Sequence, residues 1–174
     1  SYFSYYDSLT STGVSNAINQ FSIQTVFLYT PGKKVTGNGI DRYLVSDDYS
    51  TIIFKYTKGL SGILNSDFNY DKIQFSYIKP WYIGSIGRLK SSFDFGKTIG
   101  TVPIGLLHII PGNQTAYSLF GTFHNLNYYE FITDTYAALH LEHDFNGRVF
   151  SRIPFLRKFN LREIIGVRGV WISI

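Results

Sequence analysis

A side-chain period of two recurs along this chain, segment after segment, and it constrains the fold more than any other feature. In FSIQTVFLY, Phe21, Ile23, Phe27 and Tyr29 share a face, with Thr25 among them. In STIIFKYT, Ile52, Phe54 and Tyr56 oppose Thr51, Lys55 and Thr57; in YDKIQFSYI, Ile73, Phe75 and Tyr77 oppose Lys72, Gln74 and Ser76. WYIGSIGRLKSSFDF, read as one run, sets Trp81, Ile83, Leu89, Phe93 and Phe95 against Arg88, Lys90, Ser92 and Asp94. QTAYSLFGTFH sets Tyr117, Leu119 and Phe123 against Gln114, Ser118, Thr122 and His124. LREIIGVRGVWIS is less clean: Leu161, Ile165, Val167 and Trp171 oppose Arg162 and Arg168, but Glu163 falls on the apolar side and Ile164, Val170 and Ile172 on the other. A strand sends successive side chains to opposite faces, so each segment is expected to be a strand.

YAALHLEHDFNG tests that expectation, because as a helix it would bring His140 and His143 to one side. As a strand it puts His140, Glu142 and Asp144 on one face and Ala137, Leu139, Leu141 and Phe145 on the other. Only Ala138 and His143 spoil that sorting, whereas a helical period leaves no continuous apolar stripe. The strand reading brings the total to about seven, several of them about nine to thirteen residues long. Strands of soluble sheets peak near ~5–6 residues, while a tilted strand crossing a bilayer needs ~9–11. Gly, Pro, Asn and Asp punctuate the connections at 30–39, 58–67, 96–113, 125–134 and 146–160. By counting hairpins, 58–67, 96–113 and 146–160 fall at the same end of the strands.

Composition agrees. Aromatic residues make up 18% of the 174, with 14 Tyr and 15 Phe, and charged residues only 16%, against ~25% in an average domain. No run approaches the ~18 apolar residues of a membrane-spanning helix. Cys is absent, which removes disulfides and thiolate metal sites. The net charge of +4 is mild and the basic residues are scattered apart from those near 148–162, so nucleic acid is not an expected partner. The chain does not begin with Met, which suggests a piece of a longer protein with any targeting signal upstream.

A sheet inside hydrocarbon must satisfy every backbone group, so it spans only by closing on itself. Closure makes one face apolar and the other wet, with aromatic rings gathered at the interfaces. The expected fold is therefore all-β, an incomplete antiparallel transmembrane β-barrel; about seven strands are too few alone, since bacterial barrels have about eight or more. Residues 1–174 form part of one barrel domain in this reading. Its expected lumen-facing polar wall comprises Lys55, Lys72, Arg88, Lys90, Asp94, His140, Glu142, Asp144, Arg162 and Arg168, and its aromatic girdle Tyr29, Tyr56, Tyr77, Trp81, Phe95, Tyr117, Tyr136, Phe145 and Trp171. The excess of cations on that wall would favour anionic solutes in an open channel, but cross-paired charges in a filled barrel are the favoured reading. A soluble, aromatic-rich sandwich that binds carbohydrate is the alternative architecture.

Enzymatic chemistry finds little support. His143 points away from His140 and Glu142 on a strand, so no three-ligand metal site forms there and a hydrogen-bonded His140–Glu142 pair is expected instead. GKT at 96–98 lacks the glycine five positions earlier that a phosphate-binding loop requires; Ser91 stands there. NQT at 113–115 is a glycosylation-like match of three residues, expected often by chance. No serine lies in a Gly-x-Ser-x-Gly turn, so a barrel-borne hydrolase is only an alternative. No cofactor or metal is expected. GRVFSRIPFLRKFNLRE interleaves Arg148, Arg152, Arg157, Lys158 and Arg162 with Phe150, Ile153, Phe155, Leu156 and Phe159, which suits a short amphipathic turn at a membrane face or a solvated hairpin.

From Phe93 onward, FGKTIGTVPIGLLHIIPGN, FHNLNYYEFITDTYAALHLEHDFNG and IPFLRKFNLRE occur in order. The chain resembles, in these pieces, the carboxyl-terminal barrel region of an uncharacterised family of Gram-negative outer-membrane proteins. It departs at Asp144, where that family tends to carry a second histidine after His143. The resemblance implies a membrane-embedded barrel in the outer membrane and no settled activity. It also implies an upstream carboxypeptidase-regulatory-like domain and further strands outside this chain. The expected role is non-enzymatic, as scaffold, channel or subunit, with outer-membrane lipid and other envelope proteins as partners.

Overall fold

The computed structural model describes residues 5–6, 14–15, 18–113, 120–124, 126–127 and 129–173. The chain is all-β, with 49% strand. In chain order, β1 (Tyr5–Tyr6) pairs with β2 (Val14–Ser15), and β3 (Ser22–Tyr29) is followed by a small ribbon of β4 (Val35–Thr36) and β5 (Tyr43–Leu44). Then come β6 (Thr51–Gly59), β7 (Tyr70–Tyr82), β8 (Arg88–Ile99), the paired β9 (His108–Ile109) and β10 (Ile132–Thr133), β11 (Thr135–Asp144) and β12 (Ile164–Ser173). The long strands make one six-stranded sheet, ordered β12-β11-β8-β7-β6-β3, in which each is antiparallel to its neighbour. Among the described residues the sheet is open, with β3 and β12 at its edges. The strand reading of 136–147 therefore holds over Thr135–Asp144, and the helical reading does not.

Two expected strands change. The run from Trp81 to Phe95 is broken by a turn: a 3-10 segment, Gly84–Ile86, sits between β7 and β8, and the Ile83 N–H donates to the Gly87 carbonyl at 2.9 Å. Glycines at φ 47° (Gly84) and 119° (Gly87) make that turn possible. The expected strand at 114–124 is not part of the sheet over its described residues 120–124, where an isolated bridge from Gly112 to Phe123 is the β pairing; residues 114–119 lie outside the described residues. Removing that strand reverses the parity of all that follows it. The connections 30–50, 83–87 and 145–163 lie at one end of the sheet, and 60–69 and 100–134 at the other. Residues 146–160 thus sit opposite 58–67 and 96–113, contrary to the hairpin count.

Directly opposed residues of antiparallel strands share a face, so the register sorts the sheet into two. One face carries the row Trp171, Ala137, Phe95, Phe75, Phe54, Phe27, and beside it the row Gly169, Leu139, Phe93, Tyr77, Ile52, Tyr29. The other carries Val170, Ala138, Asp94, Ser76, Ile53, Leu28, and beside it Arg168, His140, Ser92, Ile78, Thr51. The second, more polar face is the covered one. Connection 100–134 folds back onto it, and Ile110 and Phe123 pack there with Ala138, Tyr136, Val170 and Ile172. The residues that spoiled the alternation, Ala138, Val170 and Ile172, lie under this connection, which needs apolar ground to pack on.

Candidate functional site

Nine of the ten polar residues singled out in the sequence lie in β6, β7, β8, β11 and β12 with side chains on the covered face: Lys55, Lys72, Arg88, Lys90, Asp94, His140, Glu142, Asp144 and Arg168. Arg162 precedes β12 and lies largely exposed at the end of the sheet, where it meets Asp144 at 2.7 Å. The charges on this face are mostly answered. Arg168 and Glu142 approach to 3.6 Å, Arg88 reaches Asp47 at 2.6 Å, and Asp94 accepts hydrogen bonds from the hydroxyls of Ser76 (2.6 Å) and Ser92 (2.7 Å). The expected His140–Glu142 pair does not form, because Glu142 turns to its cross-strand neighbourhood and Arg168 instead.

The connection is fastened to this face by polar and aromatic contacts. Lys72 donates to the carbonyls of Leu106 (3.1 Å) and Leu107 (3.2 Å), which end a 3-10 turn whose carbonyls have no intrahelical partner. The His108 ring meets Tyr136 edge-on at 5.0 Å, and Lys90 sits 3.8 Å over the Phe120 ring. Thr98 donates its N–H to the Asp134 carbonyl at 2.7 Å, and the buried Thr133 hydroxyl lies against the Thr135 carbonyl at 2.8 Å and against the Ser173 carbonyl. Burial, and then the nearby Lys72 charge, push His108 down to about 4 from its ordinary value of 6.5.

Glycine lets the covering rings in. A Cβ on Gly96 would stand 2.3 Å from Tyr136 Cε1 and 2.9 Å from His108 Cε1; one on Gly59 would stand 2.3 Å from Tyr70 Cε1. Each glycine is the direct cross-strand partner of its tyrosine, Gly96 with Tyr136 and Gly59 with Tyr70. A ring laid over a strand glycine covers exposed backbone and pins the register. Tyr136 therefore belongs to the covered face, not to the girdle expected from sequence. Of the rest, Tyr29, Tyr56, Tyr77, Trp81, Phe95 and Trp171 share the uncovered face, with Tyr77 and Phe95 in mid-strand. Phe145 follows β11 and packs against His143 with ring centroids 4.3 Å apart, and Tyr117 lies outside the described residues.

Between sheet and connection lies a cavity of about 230 Å³ lined by Ser92, Asp94, Ile110, Phe120, Phe123 and His140, among others. His140 is 2% exposed, its ring 4.7 Å from that of Phe123, and neither ring nitrogen has a hydrogen-bond partner among the described residues. Both serines beside it donate to Asp94, so no serine–imidazole hydrogen bond sets up a nucleophile. No three His, Asp or Glu among the described residues are grouped as metal ligands. At the end of the sheet holding 30–50, Asp47 accepts from the Tyr82 hydroxyl at 2.5 Å and meets Arg88. The Tyr82 bond first, and the Arg88 charge with it, hold its carboxyl below the usual range.

Residues 7–173 match the C-terminal domain of a family of unknown function (DUF5686). The chain belongs to that family. The match covers nearly the whole chain, whereas the resemblance read from the sequence begins at Phe93. No curated protein and no solved structure matches the chain. Sequence reasoning missed Gly59, Gly96 and His108. The signal that could have found the glycines was a lone Gly inside an alternating strand, which marks close approach of another group.

Proposed function

We propose that this DUF5686 domain is a section of a transmembrane β-barrel in a bacterial outer membrane, closed by strands that pair with the open edges of β3 and β12. The inverted burial of the sheet carries the reading. Buried residues include His140, Ser92, Thr98 and Thr57 on the polar face, while Phe27 (63% exposed), Leu139 (45%), Val167 (64%) and Trp171 (60%) lie bare on the apolar one. About half exposed, each such side chain forgoes on the order of 1 kcal/mol of burial free energy in water. Lipid tails would restore that contact, and a contiguous apolar patch of this kind marks an interaction surface. A soluble sandwich needs a second sheet over these rows, and none covers them among the described residues.

Charges on the apolar face sit towards its margins. On β7 the outward sequence runs Asp71, Ile73, Phe75, Tyr77, Lys79, with Lys58 and Tyr56 both bonded to Asp71 (2.8 and 2.5 Å). From Asp71 to Lys79 is about 27 Å at ~3.4 Å per residue, comparable with the ~25 Å apolar band of such barrels once strand tilt is allowed for. Lys79 lies 4.2 Å over the Trp81 ring, an arrangement suited to an interface.

The role we assign is non-enzymatic, as a filled barrel acting as scaffold or subunit among other envelope proteins, within a longer chain that carries a carboxypeptidase-regulatory-like domain upstream. The packed connection 100–134 favours this over an open channel. Gel mobility of the complete protein in detergent, with and without boiling, tests the barrel: a heat-dependent shift is expected. Unchanged mobility together with solubility in buffer would overturn the reading. Planar-bilayer recordings of the same preparation should show no conductance until the connection is deleted.

A further inference from the structure

The connection between β11 and β12, residues 145–163, is not explained by the barrel. Its two 3-10 turns, Phe150–Arg152 and Leu156–Phe159, build no core: Phe155 is 72% and Phe159 59% exposed, their rings stacked edge-to-face at 5.6 Å. The segment is nevertheless held in place. Arg148 donates to the Ser85 carbonyl of the β7–β8 turn, Ser151 N–H to the Gly147 carbonyl at 2.9 Å, and Phe150 N–H to the Glu163 carboxylate. Asn160 ends the second turn in the left-handed conformation, φ 48°.

The cations of this segment divide into two sets. Arg148 and Arg162 are spent on Ser85 and Asp144. Arg152, Arg157 and Lys158 are exposed and converge with Ser151 and Pro154 on a groove of about 440 Å³ that contains no carboxylate. The exposed Phe155 and Phe159 directly follow Pro154 and Lys158 of the groove in the chain. A short segment that carries both a cationic groove and bare aromatic rings matches a ligand that is anionic at one end and apolar at the other.

We propose that residues 148–162 form a binding site for the phosphate headgroup of a membrane lipid, with Arg152, Arg157 and Lys158 on the phosphate and Phe155 and Phe159 among the acyl chains. The inference rests on the membrane reading and goes past it, by naming which end of the sheet holds charged lipid and through which residues. Arginine suits the task because its planar fork bonds two phosphate oxygens at once. Each cation near an anionic surface is worth about a five-fold preference.

The test uses the complete protein in mixed micelles of dodecyl maltoside with either phosphatidylglycerol or phosphatidylcholine, bound lipid being counted by native mass spectrometry. Wild type is expected to retain phosphatidylglycerol at least about ten-fold over phosphatidylcholine. R152Q/R157Q/K158Q should abolish that preference, while K33Q/K34Q/R42Q, an equal charge change at the same end of the sheet, should keep it. Equal ratios in wild type and the first variant, equal loss in both variants, or displacement of the lipid by inorganic phosphate alone would overturn the proposal. The heat shift on gels, read on the same samples, reports the barrel separately: its absence in wild type sinks the membrane reading, whereas a retained shift with equal lipid ratios sinks only the headgroup site.

Discussion

The two faces of the sheet are made by the same strands, yet they obey opposite rules. On the covered face most charged groups have found a partner, with the buried His140 ring an exception among the described residues, and Ala138, Val170 and Ile172 are the apolar ground on which connection 100–134 rests. On the uncovered face, aromatic rings from neighbouring strands lie side by side with nothing over them among the described residues, Phe27 and Phe54 with centroids 6.4 Å apart and Phe75 and Phe93 likewise. In water the second face would be the costly one. In hydrocarbon it is the favourable one, and the first becomes an interior whose polar groups must be satisfied by protein.

Leu139→Arg is the substitution that most sharply separates these environments. Leu139 lies mid-strand on the uncovered face between Gly169 and Phe93. A cation at the bilayer midplane costs ~2–4 kcal/mol, whereas an exposed surface substitution stays within ~0.5 kcal/mol. Urea unfolding of the vesicle-reconstituted protein should show the larger loss. A change inside the smaller range would remove the distinction between the faces.

Acid should act next most strongly, through His108 beneath the covering connection. His108 titrates at about 4 in the fold and 6.5 in the unfolded chain. Its folded value is depressed, so between these values the unfolded state binds the proton that the folded state refuses. Stability is therefore complete above about 6.5, falls as pH drops towards 4, and is flat below, by up to ~3 kcal/mol for this group. His108→Gln should flatten that part of a stability-against-pH curve. An identical slope in the variant would show that the packing of 100–134 on the sheet does not hold the imidazole neutral.

How far the sequence could be read depends on which of these faces is asked about. The strands were legible because a sheet must alternate, and the sharing of a face by His140, Glu142 and Asp144 follows from the same period. Where the chain packs on itself, periodicity says nothing. Residues 120–124 continue an apolar–polar rhythm, yet beyond the Gly112–Phe123 bridge they belong to the covering connection, since Phe123 pairs its rhythm with ring contacts to His140 and not with a neighbouring strand of the sheet. The turn at Gly84–Gly87 was hidden because Ile83 keeps the face of Trp81 and Leu89, although Ile86 falls on the opposite one. The clues to the covered face were its irregularities, Ala138, Val170 and Ile172, which register as noise until something is known to lie upon them.

Glycine gives the finest comparison between the faces, because two glycines on the strands either side of β11 meet opposite surroundings. Gly96, on the covered face, has Tyr136 directly over it, and an added Cβ would lie 2.3 Å from the ring. Gly169, on the uncovered face, would place its Cβ within 4 Å of nothing. Gly96→Ala should therefore force ring or backbone to move and cost ~1–3 kcal/mol, while Gly169→Ala should be neutral or stabilise by ~0.4–1 kcal/mol through the unfolded state. Unfolding midpoints of the two variants decide it. Gly96→Ala should cost less in a Tyr136→Ala background than in wild type, since the nearest clash is then gone, only His108 Cε1 at 2.9 Å remains, and the two residues are directly coupled. Equal costs at Gly96 and Gly169 would mean that the ring does not lie on the strand, and with it would go this pin on the register between β8 and β11.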